Sequence, residues 1–234
     1  GGLGAGGEGT GGRPENTGAE CAAPTDCYPG IDPATILGTV TCLDRVRGGY
    51  CTHTCMSDAD CCAAANECKT GIEQVCSPFE STGMMMCFLS CESDDLVPGP
   101  GQSGPVDEQE YCQREAGRDF ICRSSGGGAN NRKVCVPGDC GVGAACTDTA
   151  QCAAGLTCEL TLEGGYCTER DCTQNADCPQ GSVCVASTTG TNYCMKSCQG
   201  PSDCTFCRGY DDDAACSTGV MFVEAGTTGA VCIP

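Results

Sequence analysis

The stretch CTDTAQCAAGLTCELTLEGGYC at 146–167 decides how this chain is read. Its cysteines fall as Cys146-x5-Cys152-x5-Cys158-x8-Cys167. The next set follows as Cys172-x5-Cys178-x5-Cys184-x9-Cys194, and Cys198 and Cys204 open a further one at the same first interval. Working outward, the 28 cysteines among 234 residues parse into six four-cysteine modules. The first half holds Cys21, Cys27, Cys42, Cys51, then Cys55, Cys61, Cys68, Cys87, then Cys91, Cys112, Cys122, Cys135. The second half holds the two sets above and Cys198, Cys204, Cys216, Cys232. Cys62, Cys76, Cys140 and Cys207 are left over.

Cytosolic thiol buffers keep cysteines reduced, so this density belongs to a secreted, extracellular or periplasmic protein. Composition points the same way. Val, Ile, Leu and Phe supply only 31 residues and the net charge is −19, a balance that spells disorder without cross-links. A bridge closing a loop of about 15 residues contributes roughly 3 kcal/mol. The expected frame is therefore covalent. Metal is the other use of many cysteines, but there is no Cys-x-Cys pair, and the Cys-x-x-Cys at 204–207 is followed by Arg208. With His53 the sole histidine, no metal site and no cofactor are expected.

A longer period overlies the modules. GGYCTHTC at 48–55 matches GGYCTERDC at 164–172, MCFLSC at 86–91 matches YCMKSC at 193–198, and CVP at 135–137 matches CIP at 232–234. Duplication of a three-module half explains all of these. The expected organisation is a Gly-rich N-terminal tether at 1–20, three modules at 21–136 with a Pro/Gly- and acid-rich insertion at 92–111, a linker at 137–145, and three modules at 146–234. Gly48-Gly49 and Gly164-Gly165 suit tight hairpin turns. Asp26, Asp58, Asp60, Asp177 and Asp203, beside the second cysteines, suit Asx turns. No segment carries a helix-length period. The expected fold class is small and disulfide-rich: tandem hairpin modules forming an elongated rod with little regular secondary structure.

The Cys-x5-Cys-x5-Cys units, with Asp or Ala before the second cysteine, resemble the Dickkopf N-terminal, colipase-like cysteine-rich repeats. Similar arrays occur in cell-surface proteins of myxobacteria and their relatives. The resemblance implies extracellular placement and a non-enzymatic role. It also implies first-to-third and second-to-fourth pairing within a module, hence Cys146–Cys158 with Cys152–Cys167, and Cys172–Cys184 with Cys178–Cys194. Spacing alone leaves the pairing of so many cysteines open. For the extras, Cys62 with Cys76 is the local choice inside the second module, which leaves Cys140 to pair with Cys207.

Catalysis would have to run through His53, between Cys51 and Cys55, where a rigid linker residue is the plainer reading. No catalytic residues are expected. Surface features carry more weight. Arg114, Arg118, Arg123, Arg132 and Lys133 cluster in an acidic chain and could steer onto Asp211, Asp212 and Asp213 of another subunit. The apolar runs at 84–89 (Met84, Met85, Met86 and beyond) and 220–223 (Val220, Met221, Phe222, Val223) are candidate interface patches. Negative charge disfavours nucleic acid as a partner, and no apolar run is long enough to span a membrane. The expectation is a secreted or cell-surface structural protein, a subunit or decoration of an extracellular filament or surface layer that assembles through its ends. The alternative is an extracellular adhesin or ligand-binding module, with calcium as a candidate ligand, and after that a secreted inhibitor.

Overall fold

A computed structural model of the chain describes residues 14–68, 71–80, 83–99, 103–126, 128–188, 190–208 and 214–234. The chain divides into two compact units, Gly1–Gly138 and Asp139–Pro234. The first contains a hairpin of β1 (Val40–Cys42) and β2 (Cys51–His53). Its four-stranded antiparallel sheet, in the order β3-β4-β6-β5, comprises β3 (Gln74–Pro78), β4 (Met85–Ser90), β5 (Phe120–Ser124) and β6 (Lys133–Pro137). The second unit repeats the plan. A hairpin of β7 (Thr157–Glu159) and β8 (Tyr166–Thr168) precedes β9 (Ser182–Ala186), β10 (Asn192–Cys198), β11 (Ala215–Ser217), β12 (Met221–Phe222) and β13 (Ala230–Ile233), ordered β11-β13-β10-β9-β12.

The hairpins explain the cysteine spacing. In every module the third and fourth cysteines lie directly opposite each other across two antiparallel strands: Cys42 and Cys51, Cys76 and Cys87, Cys122 and Cys135, Cys158 and Cys167, Cys184 and Cys194, Cys216 and Cys232. They do not bond to each other. The third bridges back to the first and the fourth to the second, as in Cys146–Cys158 with Cys152–Cys167 and Cys172–Cys184 with Cys178–Cys194. The same crossing holds Cys21–Cys42 with Cys27–Cys51, Cys91–Cys122 with Cys112–Cys135, and Cys198–Cys216 with Cys204–Cys232. Cys140 bridges Cys207 inside the second unit. Fourteen bridges leave no free cysteine.

One expected pair is corrected. Cys62 does not reach Cys76. Cys62 closes a small loop with Cys68, while Cys76 bridges Cys55 and Cys61 bridges Cys87. Strand register is the reason. Only Cys76, on β3, faces Cys87 on β4, so it and not Cys68 is the third cysteine of that module.

The turn that carries each second cysteine is held by one side chain. Asp26, Asp60, Asp177 and Asp203 each accept two backbone N–H bonds from residues three and four positions earlier, such as Met56 and Ser57 to Asp60 at 2.7 and 2.9 Å. Gln151 accepts from Thr147 in the equivalent place. These bonds reach backwards, closing a short 3-10 or α turn, where Asx turns would reach forwards. Asp58 does something else: its carboxylate accepts from the Cys76 amide at 2.8 Å on the outer edge of β3. The N–H of Thr173, and further donors around it, hold the Asp177 carboxyl down to about 2 from its ordinary 3.8. A depressed carboxylate stabilises the fold fully above its unfolded value, and that contribution fades as pH falls through the folded one. The Thr173 amide resonance should therefore titrate with a midpoint near pH 2. A midpoint near 4 would mean that the bond is not made.

Two expectations about the chain between modules also change. Residues 1–13 lie outside the described residues, but 14–20 are no tether. Gly18 donates to the Cys51 carbonyl and Cys51 to that of Ala19, both at 2.9 Å, so this segment is hydrogen-bonded to the start of β2. The linker behaves identically, with Gly143 donating to Cys167 and Cys167 to Ala144 at 2.9 Å. The repeat thus starts upstream of its first cysteine, at Gly18-Ala19 and Gly143-Ala144. Gly49 and Gly165 permit this close approach. Each has positive φ, and a Cβ there would sit 2.1 Å from the Cys21 carbonyl oxygen or 1.8 Å from that of Cys146.

The 92–111 insertion is likewise not a simple exposed loop. Its end enters helix α1 (Glu108–Glu115), capped by Asp107, and Leu96, Val106 and buried Tyr111 pack on the first unit's core. Gln109 of α1 bonds both Phe120 and Cys122, blocking the open edge of β5 against pairing.

Candidate functional site

His53 is sealed in the first unit, with no exposed surface. Its Nδ1 lies 2.8 Å from the Leu37 carbonyl and 3.0 Å from that of Thr54, so this nitrogen carries a proton and donates. Nε2 lies 2.5 Å from Oε1 of Glu67, which is equally buried. The other carboxylate oxygen accepts from the Ala64 amide at 2.8 Å. Tyr28 stands edge-on to the imidazole and shares a 2.9 Å hydrogen bond with Thr17. Asn16 closes the cluster by donating to the carbonyls of Asn66 and Glu67. A rigid linker residue was expected at position 53; the structure places a buried polar knot there, which ties 14–17 to the loop closed by Cys62–Cys68. Such a sealed group cannot meet a substrate.

The basic stretch is paired within its own unit. Arg123 pairs with Glu80 at 3.2 Å and lies over the Phe79 ring. Arg132 pairs with Asp58 and Glu92, and Lys133 with Glu108. Arg114 pairs with Glu115 and donates to the Val97 carbonyl, and Arg118 is not free either. These partners come from the insertion, α1 and the neighbouring loops, so the unit neutralises its own positive charge. Asp211, Asp212 and Asp213 lie outside the described residues.

The apolar runs divide. Met86 is only 1% exposed and belongs to the core of the first unit with Phe88 and Leu89, which removes it from any interface; Met85 is half-buried. Met84, at 48%, does reach solvent. In the second unit Val220 and Phe222 pack partly on the core and Val223 against the Cys172, Cys184 and Cys194 cluster, leaving Met221 exposed at 73%.

Met221 stands at the mouth of a groove of about 560 Å³ on the second unit's sheet. Its walls are apolar: Val185 of β9, Tyr193 and Met195 of β10, Ile233 of β13, Leu162 and Val220. Alternation and register put Val185, Tyr193, Met195 and Ile233 on one face of the sheet. Sequence reading missed this site because it is built from single apolar residues on separate strands. It found only the fragment at 220–223.

No protein-family model matches the chain, and no curated protein or solved structure matches it either.

Proposed function

We propose that this is a secreted or cell-surface structural protein, a rod of disulfide modules that serves as a subunit or decoration of an extracellular filament or surface layer. The observation that carries the reading is the covalent frame: all 28 cysteines are bridged, and the crossed pairing recurs in each of the six modules. Such a frame suits an oxidising environment and a load-bearing role better than one that needs moving parts. No helix among the described residues is long and apolar enough to cross a membrane. A second reading, an extracellular adhesin or ligand-binding module, is favoured by the groove beside Met221.

Assembly decides between them. The intact chain should polymerise or decorate a polymer, as seen by electron microscopy and light scattering. Removal of residues 1–13 should abolish assembly while leaving an oxidised, folded monomer. The cut must stop there, because Asn16 and Thr17 are buried parts of the first unit. An intact chain that stays monomeric at high concentration would leave the binding reading in place of the structural one.

A further inference from the structure

The two units are internal copies, and they differ at one telling place. In the first, Phe79 follows the end of β3, three residues beyond Cys76, and is fully buried. Its ring stacks on Phe88 at 5.3 Å and lies 5.0 Å beneath the Arg123 guanidinium. The second unit has Ser187 at that position, three residues beyond Cys184 and just past β9. The residue matching Phe88 is Met195, one beyond Cys194, and the residue matching Arg123 is Ser217, one beyond Cys216. Met195 and Ser217 both line the groove. The groove is thus the place that the first unit fills with its own aromatic ring.

The walls agree. Val46, Met86 and Val136 are buried in the same core cluster as Phe79 in the first unit. Their counterparts Leu162, Tyr193 and Ile233 are only partly buried, so the apolar face is finished in one copy and open in the other.

We infer that the groove of the second unit docks an aromatic side chain carried by an extended, basic peptide segment of another protein. The aromatic requirement follows from the internal occupant, since a ring is what this sheet face buries in the first unit. Ser77 and Pro78, the last two residues of β3, lead directly into Phe79, which is why the segment before the ring is taken to be extended. The basic requirement follows from charge: residues 139–234 contain twelve Asp and Glu against three Arg and Lys, a field that draws in cationic chains and repels acidic ones. This inference is independent of whether the chain polymerises.

The test uses the full oxidised chain and a synthetic peptide, Lys-Ser-Pro-Phe-Lys-Ser with blocked ends, built on the triplet at 77–79. Titration followed by methyl NMR should give saturable shifts at Met195 and Met221, with a Kd of about 1 mM or tighter. Alanine in place of phenylalanine should weaken binding at least about tenfold, and glutamates in place of the lysines should weaken it as well. Ser187→Phe, which restores the internal plug, should abolish the shifts. Ser217→Arg, which restores the cation over the ring, should tighten binding about threefold or more; it also supplies an independent reading should Ser187→Phe fold poorly. The inference is overturned by any of three results: no saturable shift, shifts unaffected by both variants, or dimerisation of the chain through the groove, which would make a second copy the occupant.

Discussion

Glu67→Ala should destabilise the first unit by about 3–5 kcal/mol, because it orphans two buried polar groups at about 1–3 kcal/mol each. The size follows from the surroundings of His53. Its Nδ1 is committed to two carbonyls, so deleting the carboxylate removes the group that Nε2 faces, and the Ala64 amide loses its partner too. Glu67→Gln keeps the shape and one acceptor and should cost less, roughly 1–3 kcal/mol. Guanidinium unfolding under non-reducing conditions, followed by far-UV circular dichroism, measures both. The chain has no tryptophan to report by fluorescence. A midpoint for Glu67→Ala equal to that of the parent would show that the pair contributes nothing.

The second large effect is expected from replacing Cys140 and Cys207 together by alanine. This bridge joins positions 67 residues apart, the longest span in the chain, and its loss should cost the second unit about 2–4 kcal/mol. The figure stays moderate because crossed bridges inside the span already shorten the loop. The consequence should also be local. The bridge anchors the segment that pairs with β8, so the amides of Gly143 and Cys167 should exchange with solvent much faster in the double variant. Arg208, which donates to the carbonyls of Gly143, Glu163 and Gly165, remains as a partial clamp. Unchanged protection at Gly143 would mean that Arg208, and not the disulfide, holds the segment.

The first unit solves the same problem without that bridge. There Asn16 donates to the carbonyls at 66 and 67, where the second unit uses Cys140 and Cys207. The difference marks the limit of what sequence reading could reach. Cysteine spacing and the repeated GGYC made the hairpins and the duplication legible, because these depend on local intervals. The boundary at Gly18 and Gly143 needed only three more residues of the same alignment, Gly-Ala-x before the first cysteine in both copies. Cys62 and Cys76 could not be assigned by interval. Their partners depend on which residue faces Cys87 across the sheet. Glu67 was invisible because an acid in a short loop looks like every other surface acid until its histidine is found. The partners of the basic stretch were hidden for a different reason. Its residues are close in sequence, but Glu80, Glu92, Glu108 and Asp58 come from distant segments to neutralise them.

The crossed bridges also determine how a module answers tension. Drawn out from Cys21 to Cys51 without cross-links, the chain would reach about 100 Å. With Cys27 bonded to Cys51, the covalent path runs through six residues and one disulfide, so extension stops at about 25 Å. Pulling therefore cannot unravel the hairpin, and β1 stays inside a closed ring that bears no load. Under strain the five modules whose first two cysteines lie six residues apart behave as links of fixed length, whereas in the third, where Cys91 and Cys112 lie 21 apart, the shorter path runs through Cys91–Cys122 and along the β5–β6 hairpin.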